Sequence, residues 1–155
     1  MLSRFPVAMA TIAAVNLVVG IGAAQAEPIS RYEQLRALLF SGAPPTVIFN
    51  PTQCRNSQQS GSMAPTAAIS GGFAIRDFME VPDNNISFAD EHFTVRPDGT
   101  AVLELIQYRV MPTNTGTVTV RSLSPVTYQP LSTPQVFQCA LGEGLRFVHA
   151  SREGD

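Results

Sequence analysis

Residues 89–111 read ADEHFTVRPDGTAVLELIQYRVM, and Pro97-Asp98-Gly99 at their centre governs how the chain folds. Proline presets the backbone of a type I turn, aspartate tolerates its second corner, and glycine takes the left-handed conformation that closes a three-residue hairpin loop. In that register Arg96 pairs with Thr100, Phe93 faces Leu103 and His92 faces Glu104. Side chains alternate along a strand, so Phe93, Val95, Leu103 and Leu105 share one face. His92, Thr94, Glu104, Ile106, Tyr108 and Val110 share the other. A two-residue Asp-Gly loop would set Phe93 opposite Glu104, placing a charge among apolar groups, which argues against it.

Strands bounded by turn signals are expected on both sides, although the turn before Thr117 departs from the shorter Pro-Asp-Gly type. Strands are predicted over Thr46–Phe49, Phe73–Val81, Ile86–Ala89, His92–Arg96, Ala101–Met111, Thr117–Leu123, Gln135–Leu141 and Leu145–His149. Turn signals separate most of them: Pro82-Asp83-Asn84, Pro97-Asp98-Gly99 and the stretch from Pro112 to Gly116. Three prolines between Ser124 and Pro134 deny a central strand there, and Cys54–Gly72, rich in Ser, Gln, Ala and Gly, reads as a long surface loop. Upstream, Ser30-Arg31-Tyr32-Glu33 matches a capping box, and Tyr32, Leu35, Leu38 and Leu39 follow at helical spacing. Gly42 and Pro44-Pro45 stop the helix. The expected fold is therefore mainly β with a minor α component: an antiparallel meander, curled into a sheet or a barrel, with one short N-terminal helix packed on it. The Ala101–Met111 strand is apolar on both faces. One face is expected to meet the sheet or barrel core and the other the helix.

The chain of 155 residues opens with one arginine, an apolar stretch from Val7 to Ile21, and Ala24-Gln25-Ala26. That is the pattern of a secretory signal peptide cut after Ala26. An uncleaved anchor is the alternative, but Asn16 interrupts the apolar run. Residues 27–155 then form a single β-rich domain, periplasmic or secreted. No cysteine stands at the cut, so a lipoprotein is not expected, and no later segment is apolar enough to span a bilayer. Twelve acidic residues against ten basic ones give no footprint for nucleic acid.

Two cysteines in an exported chain, Cys54 and Cys139, allow one pairing and read as a bridge that braces the domain. A redox-active pair is the alternative, although such pairs usually lie close in sequence. All ten basic residues are arginine, so Schiff-base, P-loop and Ser-Lys chemistry lack their amine. With no Trp, the tryptophan expected near the start of a lipocalin barrel is missing as well. His92 and Glu104 could form a general acid–base pair in a small hydrolase or isomerase. No G-x-S-x-G motif or free thiol supplies a nucleophile, and only His92 and His149 could offer imidazoles to a metal. No cofactor or metal is implied. The favoured reading of Asp90, His92, Glu104, Tyr108 and Arg109 is a polar pair and its surroundings on a sheet face, open to a protein or small-molecule partner. Arg109 is expected to meet an acid, Asp77 or Asp90.

The stretches GGFAIRDF (71–78), ISFADEHFTV (86–95), LELIQYRV (103–110) and FQCALGEGLRF (137–147) together resemble the VirK family, small exported proteins named from a virulence regulon of plant-associated bacteria. The matching positions are Cys54, Phe78, Asp90, His92, Phe93, Glu104, Tyr108, Arg109, Cys139, Gly142, Gly144 and Phe147. The resemblance implies an exported protein with its two cysteines bridged, and it carries no assigned reaction. The function expected is binding or accessory, in the envelope or at a host interface. A purely structural envelope component and the acid–base enzyme are the alternatives.

Overall fold

The computed structural model describes residues 28–43, 45–57 and 70–149. The segment predicted to be a signal peptide and most of the predicted Cys54–Gly72 loop lie outside them. One helix, α1 (Arg31–Phe40), precedes nine strands: β1 (Thr46–Phe49), β2 (Arg55–Asn56), β3 (Gly71–Ala74), β4 (Met79–Val81), β5 (Asn85–Val95), β6 (Ala101–Met111), β7 (Thr115–Leu123), β8 (Gln135–Ala140) and β9 (Leu145–Val148). They form two antiparallel sheets, neither closed into a barrel. The larger has the order β2-β8-β7-β6-β5-β4, so β4 to β8 run as a meander; the smaller is β3-β1-β9.

The meander is built on one repeated device. Each of its first three hairpins has a three-residue loop beginning with proline. The loop's last residue donates its N–H back to the end of the incoming strand: Asn84 to Val81 (3.0 Å), Gly99 to Arg96 (2.9 Å) and Asn114 to Met111 (3.2 Å). Each loop holds one left-handed residue, Asp83 (φ 58°), Gly99 (φ 86°) or Asn114 (φ 59°). Glycine, asparagine and aspartate bear that conformation at least cost. The Pro97-Asp98-Gly99 register is the one read from the sequence: Phe93 faces Leu103 and His92 faces Glu104. The next loop is equally short, so β7 begins at Thr115 rather than Thr117.

Two predicted strand boundaries move. Ile86–Ala89 and His92–Arg96 are one continuous strand, because Asp90 and Glu91 keep the ladder opposite Ile106 and Leu105. Phe73–Val81 instead splits. Gly71–Ala74 pairs with β1 and Met79–Val81 with β5, in different sheets. Between them the Ile75 N–H bonds to the Pro45 carbonyl (3.0 Å) and the Ile75 side chain is fully buried, which pulls residues 75–78 off either ladder.

The core lies between the sheets. Val47, Phe49, Leu145, Phe73 and Phe147 of the smaller sheet meet Ile86, Phe88, Tyr108, Val110, Val118 and Phe137 of the larger. Phe88 stacks on Tyr108 (centroids 5.0 Å, 13° between planes), and Phe49 and Phe73 approach the same tyrosine ring. Helix α1 buries Tyr32, Leu35 and Leu39 in the same cluster. Ser30 Oγ accepts the Glu33 N–H (3.1 Å), and Asn114 Oδ1 accepts the Tyr32 N–H (3.0 Å), which docks the helix start on the β6–β7 turn. Helix and core therefore share one face of β6. The Leu103 and Leu105 face is not where the helix packs, contrary to the expectation of a strand sandwiched between them. Helix and small sheet use the same cluster because β1 follows α1 after a short link.

Cys54 and Cys139 are bonded (Cα–Cα 4.5 Å) across 85 positions of sequence. The bridge joins the segment after β1 to β8. Gly144 passes directly beneath it: a β-carbon there would collide with Cys54 Sγ and the Gln53 carbonyl. Gly142 takes φ 93° and leaves room for the Arg31 guanidinium. Both glycines of CALGEG are thus required by what crosses over them.

Candidate functional site

The aromatic core covers one end of the larger sheet's inner face, and farther along that face Val102 is fully buried outside the cluster. Beyond the aromatic cluster β5 and β6 run on, carrying Asp90, His92 and Thr94 opposite Ile106, Glu104 and Val102. His92 Nδ1 lies 3.6 Å from Glu104 Oε2, with the side chains 60% and 32% exposed. That separation is an ion-pair contact in water rather than a directed hydrogen bond, and a cross-strand pair of this kind contributes a few tenths to about 1 kcal/mol. General acid–base work asks for a concave site from which water is excluded. The pair has neither property.

The other candidates separate by strand parity. Tyr108 is 2% exposed and belongs to the aromatic core. Burial raises its hydroxyl well above the ordinary phenol range, and the nearby Asp90 carboxylate adds to the shift. Arg109 points to the opposite face, opposite Ser87 and Thr117, and forms no ion pair among the described residues. Asp90 and Asp77 project elsewhere, so the expected Arg109 contact does not form. Among the described residues no three His, Cys, Asp or Glu side chains converge as a metal site would need.

Asp90 instead lines an open cleft of about 650 Å³. Its walls come from five places in the chain: Phe73 of β3, Arg76 and Asp77 on the link toward β4, Asp90 of β5, Ile106 of β6 and Arg121 of β7. Two guanidiniums, Arg76 and Arg121, and three carboxylates, Asp77, Asp90 and Glu91, thus line it together with an aromatic and an aliphatic side chain; by register Glu91 and Arg121 belong to the sheet face opposite Asp90 and Ile106. Neither His92 nor Glu104 takes part. The cleft exists because residues 75–78 leave both ladders. Strand β3 then ends at Ala74 and β4 starts only at Met79, so among the described residues the middle of β5 has no strand neighbour on the side away from β6. Of these residues the sequence singles out Asp90, Asp77 as an expected partner of Arg109, and Ile106, whose side chain is an alternative lining for a ligand pocket. Arg76 stands in GGFAIRDF without a role to be read from it and Arg121 carries no motif, because a site assembled from five places in the chain has no local spacing to read.

Two antiparallel sheets packed through an aromatic core, a helix on the same face and a bridge tying the segment after β1 to β8 define a small disulfide-braced β-sheet protein. The VirK protein family profile matches residues 28–128, and the chain belongs to that family. It is 29% identical over 119 residues to an uncharacterised protein, y4wH, of Sinorhizobium fredii, covering 77% of this chain and 80% of that one. A second uncharacterised relative, from the pinF2 3′ region of Rhizobium radiobacter, is 25% identical over 114 residues, covering 74% and 77%. Among solved structures the fold is similar to that of lpg1832, a VirK family protein from Legionella pneumophila. The TM-score is 0.64 at 18% identity, over 74% of this chain and 92% of that one.

Proposed function

We propose that this VirK family protein is exported, matures by cleavage after Ala26 and acts without catalysis, as a binding protein for a small amphipathic molecule carrying both an anionic and a cationic group. The cleft carries this reading. Ligand sites combine apolar lining with a few placed polar groups, and a volume of this size suits a small molecule. Arg76 and Arg121 offer paired donors to a carboxylate or phosphate. Asp77 and Asp90 offer acceptors to an amine, and Phe73 and Ile106 supply apolar contact for its body. Export is supported by the leader sequence and by a bridge of the kind that persists in oxidising compartments.

Native mass spectrometry of the protein purified from the periplasm tests these assignments together. The expected mass is that of a chain beginning at Glu27, lighter by two hydrogen atoms for the bridge, with an added small molecule that Arg121→Glu releases. A bare protein whose melting temperature also stays unmoved by a panel of amino acids, phosphorylated amines and betaines overturns the ligand assignment. A retained leader overturns the export assignment.

A further inference from the structure

The middle of β5 has a backbone edge with no partner among the described residues. β4 covers only Asn85–Ser87, while β6 pairs with β5 from Ile86 to Val95. Which groups point outward follows from the ladder. Arg96 donates its N–H to Thr100 (2.9 Å), so Arg96 is a hydrogen-bonded pair member and, by alternation, so are Thr94, His92 and Asp90. Ala89, Glu91, Phe93 and Val95 therefore aim their N–H and C=O groups away from β6. The pairing of Asn85 and Ser87 with β4 follows the same parity. Phe93 and Val95 are also 61% and 58% exposed.

We infer that this edge pairs with the same edge of a second copy of the chain, about a two-fold axis at Phe93, joining two large sheets into one. Exposed edges invite strand addition, and charges on them usually serve to prevent it. Here the charges instead select one register. With Phe93 opposite Phe93 of the second copy, Thr94 meets His92, Val95 meets Glu91 and Arg96 meets Asp90, twice by symmetry. Asp90 and Arg96 then stand as non-hydrogen-bonded neighbours, the closer of the two pair types, on one face. Neither has an ion-pair partner within its own chain among the described residues. Sliding the axis to Glu91 sets two glutamates against each other. Sliding it to Val95 sets Phe93 against Pro97, which has no N–H to donate. Of the three registers, only the one at Phe93 pairs Asp90 with Arg96 and sets Glu91, Phe93 and Val95 against partners that can bond in both directions; Ala89 alone, opposite Pro97, finds no donor. It also brings Arg96 of the second copy to the lip of the cleft, although the pairing does not depend on what the cleft holds.

Sedimentation of the oxidised mature protein from micromolar to sub-millimolar concentration is expected to show a monomer–dimer equilibrium. Asp90→Arg and Arg96→Asp each weaken the dimer at least about tenfold, and the double swap restores it. Hydrogen exchange of unmodified protein gives a readout that no variant's folding can obscure: the Glu91, Phe93 and Val95 amides gain protection as concentration rises. A wild type that stays monomeric with concentration-independent exchange at these amides overturns the proposal. A folded double swap that stays monomeric overturns the register.

Discussion

Reduction of the Cys54–Cys139 bridge is the perturbation whose size the structure sets most directly. The bond closes a loop across 85 positions of sequence and encloses the whole meander. In the chain-entropy account a loop of this length stabilises the folded state by about 4–5 kcal/mol, by restricting the unfolded ensemble. For a domain of this size that corresponds to a melting temperature lower by about 15–20 °C. Little native contact opposes it, since β2 still pairs with β8 through Arg55–Gln138 and Asn56–Phe137 once the sulfurs separate. The assay is urea unfolding of the same polypeptide, oxidised and then reduced under argon, followed by circular dichroism. The reduced form should unfold at a lower midpoint with a steeper denaturant dependence, because its unfolded chain exposes more surface. A Cys54→Ala/Cys139→Ala variant should match it. A reduced protein within about 1 kcal/mol of the oxidised one would refute the reasoning: the unfolded chain would already be confined to the same extent without the bond.

Four further outcomes follow. Gly144→Ala should cost about 1–3 kcal/mol by calorimetry, since its methyl meets Cys54 Sγ and the Gln53 carbonyl, while Gly71→Ala, with open space around it, should change stability little. Phe88→Ala should cost about 3–5 kcal/mol in denaturant titration, because it removes a buried ring from the Tyr108 stack. Burial raises Tyr32 and Tyr108, so the fold favours their neutral forms; stability is full below the ordinary phenol value of about 10 and falls as pH rises beyond it. Ultraviolet titration should show both phenols ionising only as the protein unfolds, and Tyr108→Phe should flatten that alkaline loss. A double-mutant cycle on His92→Ala and Glu104→Gln should give a coupling below about 1 kcal/mol, as befits an exposed cross-strand pair.

Local chemistry was legible where it acts locally. The Pro97-Asp98-Gly99 turn dictated the β5–β6 register residue by residue, Ser30 announced the start of α1, Gly42 its end, and two cysteines in a chain read as exported announced their bond. What was not legible depends on contacts distant in sequence. Nothing in GGFAIRDF shows that Ile75 will sink under Pro45 and divide a single run of residues between two sheets. That departure creates the cleft and leaves the β5 edge bare. The face of β6 on which the helix would settle was equally hidden, because Leu103 and Leu105 look as apolar as Ile106 and Val110. Only the short link from α1 to β1 decides between them. His92 drew notice by its chemistry, and its register was read correctly, but the cleft lies elsewhere.

The pairing of β1 with β9 has a consequence for how such a protein can be made. Thr46–Phe49 is the central strand of the smaller sheet, and one of its two neighbours, Leu145–Val148, is the last strand among the described residues. A polypeptide delivered from its N-terminus, by a ribosome or through a membrane pore, holds Val47 and Phe49 without that partner until residues 145–148 have arrived. Acquisition of the fold is thereby postponed to the end of delivery. A chain of this design stays threadable for as long as it is in transit, and locks only once transit is over.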